Sequence, residues 1–193
     1  MKKYLFGKLS LLQKYYPHRL ALLLAAMALM MPLQMKAGGT WKPLAHSAPG
    51  GAQYELMSDG TVLGCDGGQN WYRLTPDIHG SYANGTWSQI GQIASMNYSR
   101  LYFSSEVLTN GNLYVAGGEY GNGFDHAELY NAQANTWTVI AQPPNNPYYS
   151  DWNSDMLPNG DVLQATPGGD DYIYSVSSNV ITRTTSDNLN EWQ

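Results

Sequence analysis

Apolar and polar residues alternate in short runs along most of this chain, and Gly, Asn, Asp and Pro cut the runs at close intervals. Phe103-Ser-Ser-Glu-Val-Leu108 is one such run and reads as a strand. Thr109-Asn110-Gly111-Asn112 follows, and Asn-Gly takes the positive φ that tight hairpin turns need. Leu113-Tyr-Val-Ala116 is the return strand, ended by Gly117-Gly118. His126-Ala-Glu-Leu-Tyr130 predicts a third strand, Asn131–Asn135 a turn, and Trp137-Thr-Val-Ile140 a fourth strand closed by Pro143-Pro144.

The same pattern recurs. Leu56-Met-Ser-Asp-Gly-Thr-Val-Leu63, Val107-Leu-Thr-Asn-Gly-Asn-Leu-Tyr114 and Met156-Leu-Pro-Asn-Gly-Asp-Val-Leu163 place their glycines, Gly60, Gly111 and Gly160, about 50 residues apart. A second marker runs in step with it: Gly39-Thr-Trp41, Gly85-Thr-Trp87 and Asn135-Thr-Trp137. The first copy predicts strands at 54–57, 61–65, 71–74 and 87–90, and the third at 154–157, 161–165, 172–176 and 180–184. Asn190-Glu-Trp192 echoes the tryptophan marker. Four antiparallel strands per repeat is one blade of a β-propeller, so the fold class is all-β with about three blades, over repeats of approximately 41–90, 91–142 and 143–193. Propeller rings hold typically about 4–8 blades. The expectation is therefore an incomplete ring: a truncated or split product, or one whose missing blades come from another chain or an oligomer.

The first 37 residues are different. Lys2, Lys3, Lys8, Lys14 and Arg19 carry a basic start without an acid, an unbroken apolar run extends from Leu20 to Met31, and Ala37-Gly38-Gly39 follows. That is the pattern of a secretory signal peptide or an uncleaved signal anchor. It predicts a secreted, periplasmic or cell-envelope location, with no membrane contact apart from that anchor.

Composition sharpens this picture. Only 13% of residues are charged, 12% are aromatic, and Gly counts 20. Aromatic side chains suit a pleated surface, and Gly supplies the turns. A formal net charge of −5 and the lack of a basic patch after Lys42 argue against a nucleic-acid partner. Cys65 is the single cysteine, which excludes an intrachain disulfide framework and a Cys-rich zinc site.

Gly117-Gly118, then Ala127-Glu-Leu-Tyr130, then Trp137 resembles a kelch repeat. The stretch from Trp71-Tyr-Arg-Leu-Thr-Pro-Asp77 to Gly80-Ser-Tyr-Ala-Asn-Gly-Thr-Trp-Ser-Gln-Ile90 is similar to a subgroup of secreted kelch or galactose-oxidase-like propellers, mostly without assigned activity. The resemblance covers roughly residues 39–165. It implies that a Trp41 strand completes the last blade of a full ring. Galactose-oxidase relatives hold copper with two tyrosines and two histidines, one tyrosine being crosslinked to a cysteine. Ser99-Arg-Leu-Tyr-Phe-Ser-Ser105 resembles the segment of that tyrosine and places Tyr102 on it; the alternative reading is that Tyr102 only packs near the ring centre beside Arg100. Gly51 or its neighbours stand where the cysteine is implied, and Cys65 lies on the next strand. His18, His46, His79 and His126 show no ligand-like spacing, so no metal is assigned and copper enters only under the oxidase alternative. Asp66-Gly-Gly68-Gln-Asn-Trp71 resembles the Asp-box of sialidase-like propellers, a turn element that implies fold rather than activity. Asp170-Asp171 after Gly168-Gly169 reads as a solvated turn in preference to a calcium loop.

The remaining chemistry lies in the connecting loops. Tyr148, Tyr149 and Trp152 are candidate binding residues, because exposed Tyr and Trp suit sugar faces and protein hot spots. The functional expectation is an extracytoplasmic propeller that binds protein or glycan without catalysis of its own. A fragment of a copper-radical oxidase and a truncated remnant without function are the alternatives.

Overall fold

The computed structural model describes residues 39–184 except 144 and 168. The leader at 1–37 and the Trp192 echo lie outside the described residues. The chain divides into two compact units, Met1–Trp41 and Lys42–Gln193. In the first, Gly39, Thr40 and Trp41 form no strand.

The second unit is built from strands alone among its described residues. Blade 1 holds β1 (Gln53–Leu56), β2 (Val62–Cys65), β3 (Trp71–Thr75) and β4 (Thr86–Trp87). A short ribbon follows, pairing β5 (Arg100–Leu101) with a later strand. Blade 2 opens with β6 (Ser104–Val107) and β7 (Leu113–Ala116); β8 (Tyr120–Gly121) closes the ribbon with β5; β9 (Ala127–Asn131) and β10 (Thr136–Val139) complete blade 2. Blade 3 holds β11 (Ser154–Met156), β12 (Val162–Gln164), β13 (Tyr172–Ser175) and β14 (Val180–Arg183). Each blade is a four-stranded antiparallel meander in chain order. Among the described residues the fold is thus an open propeller segment of three four-stranded blades.

The turn marker has a different physical basis from the one its Asn-Gly dipeptide suggests. Only the glycine takes positive φ, at 80° in Gly60, 83° in Gly111 and 88° in Gly160. Each glycine N–H donates to the carbonyl three residues back, Met57, Leu108 and Leu157. These are three-residue hairpin loops with glycine in the left-handed position. The Asp or Asn just ahead of each glycine accepts the N–H two residues on, as Asp59 does from Thr61 at 2.9 Å and Asn110 from Asn112 at 3.0 Å. That explains both residues of the marker. The predicted strand at Trp87–Ile90 shortens to two residues, because the chain turns between Gln89 and Gln92 and leaves Ile90 exposed.

Two cores lie between the blades. Leu63, Cys65 and Trp71 of blade 1 meet Phe103, Leu113, Val115 and Tyr130 at one junction. Tyr114, Ala116 and Ala127 of blade 2 meet Val162, Tyr172, Tyr174 and Ile181 at the other. The tryptophan marker serves the first junction: Trp137 lies 5.6 Å from Trp71 and donates its indole N–H to the Ala94 carbonyl.

Within blade 2 a buried ion pair ties the incoming connection to the sheet. The Arg100 guanidinium donates to Glu128 at 2.6 Å, and both side chains are fully buried. Arg100 also donates to the carbonyls of Gly117 and His126 at 3.0 Å, while Glu128 accepts the Asn97 N–H at 2.8 Å and its side-chain amide at 2.7 Å. A buried pair needs such extra hydrogen bonds to offset the loss of hydration.

Candidate functional site

The meander puts the hairpin glycines at one end of every blade. The connections into β1, β6 and β11, and those between the second and third strands of each blade, lie at the other end. Function in this chain is sought at that second end, where loops rest on rigid strands.

Gly117 and Gly118 shape it. Gly117 has φ 75°, and a Cβ there would stand 2.0 Å from the Ser150 carbonyl oxygen. Glycine is required for that approach, which the Gly118 N–H seals by donating to Ser150. The contact fixes the loop that carries all three candidate binding residues, and it sorts them. Tyr149 is fully buried: its ring meets Tyr172 edge-on at 6.2 Å, and burial pushes its hydroxyl far above the ordinary tyrosine pKa. It packs the junction and presents nothing to a ligand. Tyr148 is 48% exposed and leans on Phe124 at 5.0 Å. Trp152 is half-buried and lines a cleft of about 420 Å³ with Asp151, Asn153, Thr166, Gly169 and Asp171.

The cleft is held from below. The Gln164 side-chain amide is buried and donates to the carbonyls of Asn153 and Ala165. The Thr166 hydroxyl donates to the Asp170 carbonyl at 2.7 Å, and the Asp171 carbonyl accepts both the backbone N–H and the hydroxyl of Thr184. Asp170 is ion-paired with Arg183. The expected turn at Asp170-Asp171 is therefore a wall of this cleft. Its lining brings an indole, an amide and carboxylates together on a fixed frame.

Tyr102 occupies the equivalent place one blade earlier. It is 58% exposed with φ 57°, and its ring meets Tyr120 edge-on at 5.9 Å across the β5–β8 ribbon. The expectation that it packs beside Arg100 is not met, because Arg100 turns inward to Glu128. Gly51 sits the same distance ahead of its hairpin glycine as Tyr102 does. Cys65 is fully buried in the first junction, where burial pushes its thiol up to about 11. His126 stacks on Tyr98 at 3.9 Å and pairs with Asp125, while the His79 N–H is held by Asp77 within a turn. Among the described residues no three His, Cys, Asp or Glu side chains come together as a metal would need. Among the described residues, Tyr102, Cys65 and the histidines are not brought together at one place. Asp66 accepts the N–H groups of Gly68 and Asn70, which is the turn role implied for an Asp-box.

One constellation is not visible until the repeats are superposed. Glu55, Glu106 and Asp155 stand at one position of the innermost strands β1, β6 and β11. The Ser105 hydroxyl donates to Glu55, and the Ser154 hydroxyl donates to Glu106 at 3.1 Å, so each carboxylate reaches the next blade. Counting five residues back from each hairpin glycine would have found them.

The Kelch motif family matches residues 101–144. No curated protein matches the chain. Among solved structures, the chain is similar to a fungal alcohol oxidase of the AA5 family in complex with copper, at 26% identity and a TM-score of 0.56. That likeness covers 71% of this chain and 30% of the oxidase, so the chain spans less than a third of that protein's length. The motif match, the open set of four-stranded blades and this likeness make the chain similar to the kelch-repeat, galactose-oxidase-like propellers.

Proposed function

We propose that the chain is an extracytoplasmic binding module that takes carbohydrate in the Trp152 cleft and carries out no catalysis of its own. The cleft carries the reading. An indole face packs against the C–H face of a pyranose, while Asp151, Asn153 and Asp171 suit its hydroxyls. The basic leader followed by the apolar run at Leu20–Met31 supports export. The test is a glycan array on the full chain, followed by calorimetry on the best hit with Trp152→Ala. The expected result is a loss of affinity of about tenfold or more. Undiminished binding by Trp152→Ala, or no glycan bound at all, would overturn the assignment.

A second reading has one observation in its favour. The copper-bound alcohol oxidase shares this fold, and Tyr102 is exposed at the same end as the cleft. Metal analysis of the full chain after copper addition separates the two. Stoichiometric copper lost on Tyr102→Phe would support a fragment of a copper oxidase. Copper-free protein that still binds glycan supports the module.

A further inference from the structure

Arg100 and Arg183 each have a carboxylate partner, Glu128 and Asp170. Arg73, on β3, is the exception among the described residues: no acid lies within ion-pair distance of it. One of its terminal nitrogens donates to the Tyr130 hydroxyl at 3.2 Å, and its Nε N–H is enclosed without an acceptor. The Asp59 carboxylate feels the charge of Arg73 but does not pair with it. A half-buried guanidinium held by one neutral oxygen has lost hydration without a matching gain, since burial of a charge is offset only by pairing and hydrogen bonds.

Its surroundings are donors. Arg73 lines a cleft of about 350 Å³ with Thr75, Thr86, Ser88 and Gln92, and no acid shares that lining among the described residues. The pairing of β3 with β4 assembles them. Thr75 lies opposite Thr86, and the Arg73 carbonyl accepts the Ser88 N–H at 2.8 Å. Alternate residues of a strand share a face, so Arg73 and Thr75 stand on one side of β3. The Ser88 hydroxyl oxygen accepts the Arg73 N–H at 2.9 Å, which leaves its proton to donate. The Gln92 side-chain oxygen accepts the Gln89 N–H at 2.8 Å, which leaves its NH₂ group to donate.

We propose that this cleft binds a phosphate or sulfate group, with Arg73 as its charge partner and Thr75, Thr86, Ser88 and Gln92 as further donors. A guanidinium holds an oxyanion through parallel N–H groups, and such charge-assisted bonds are roughly twice as strong as neutral ones. The donors come from two strands and the loop that follows them, so they approach from several sides. That suits a tetrahedral group better than a planar carboxylate. The site belongs to blade 1, whereas the Trp152 cleft belongs to blade 3, so it stands independently of the carbohydrate reading.

Calorimetry on the full chain at constant ionic strength tests this with inorganic phosphate, inorganic sulfate, a simple alkyl phosphate and acetate. Phosphate and sulfate are expected to bind saturably, and acetate more weakly. Tighter binding of the alkyl phosphate than of inorganic phosphate supports a group carried on a larger molecule; equal binding supports the free ion. Arg73→Gln should weaken phosphate binding about tenfold or more. Because Arg73 also holds Tyr130, Thr86→Val is the second variant: Thr86 is exposed on β4, and the substitution keeps the guanidinium. It should weaken binding about threefold with an unchanged β spectrum in circular dichroism. No saturable binding of either anion by the unaltered chain would overturn the proposal. So would acetate binding as tightly as phosphate, or full affinity in Thr86→Val or in folded Arg73→Gln.

Discussion

The two junctions between blades solve one packing problem in different ways. The first, between blades 1 and 2, is dominated by apolar side chains: Phe103 and Trp137 lie tilted against Trp71, with Met57, Met96 and Leu63 filling in. The second, between blades 2 and 3, is lined by Tyr114, Tyr149, Tyr172 and Tyr174 around the buried Gln164. Tyr114 and Tyr174 stack at 5.2 Å, and the side-chain carbonyl of Gln164 accepts the hydroxyls of Ser104 and Tyr114. An apolar junction is held by area removed from water and by close packing. A polar one must satisfy each donor and acceptor, and in exchange it fixes direction. Here the direction is used: the amide of Gln164 holds the backbone beside Trp152. The polar junction therefore doubles as the floor of the candidate site.

Trp71→Ala tests the first junction and has the largest expected effect. The side chain is fully buried, and its removal should cost about 3–5 kcal/mol in chemical denaturation. At temperatures where the variant stays folded, its glycan affinity should match that of the unaltered protein. Reduced affinity there would show that the two junctions are not separable.

Gln164→Leu is the counterpart in the second junction. It leaves the Tyr114 hydroxyl without its acceptor and the Ser104 hydroxyl with the Ala116 carbonyl alone, and should cost about 1–3 kcal/mol. Unlike Trp71→Ala, it should also weaken ligand binding in the cleft, since the Ala165 carbonyl loses the Gln164 amide and the Asn153 carbonyl keeps only the Ala165 N–H. A stability loss with unchanged affinity would separate the floor from the site.

The comparison also shows what the sequence could convey. The blades were legible because hairpin glycines and strand patterns are local: the predicted 113–116 strand is β7, and the other strand positions differ by one or two residues at their ends, apart from β4. The ribbon of β5 and β8 was not legible, since two-residue strands have no period to detect. Tyr148 and Tyr149 look alike as adjacent loop aromatics. Only the fold, through the approach of Gly117 to Ser150, turns one outward and the other into the core. Arg100 was likewise read as a neighbour of Tyr102, because its partner Glu128 lies a full strand pair away in sequence.

The smallest effect concerns Glu106, the carboxylate that reaches across the second junction. Burial holds its pKa above the ordinary glutamate value. The Ser154 hydroxyl opposes that rise, and the charges of Asp155 and Glu55 add to it. A carboxyl with a raised folded-state pKa keeps its proton more firmly in the folded protein than in the unfolded chain. Between the ordinary value and the raised one the folded state binds more protons, so stability falls as pH rises through that window. Glu106→Gln removes the titration and keeps an acceptor for Ser154. Denaturation midpoints of the two proteins should coincide below the window and separate above it, with the glutamine variant the more stable. Coincident midpoints at every pH would mean that Glu106 is solvated like a surface carboxylate. The two junctions would then differ in their aromatic and amide chemistry alone, and the acidic ladder along the innermost strands would play no part in that difference.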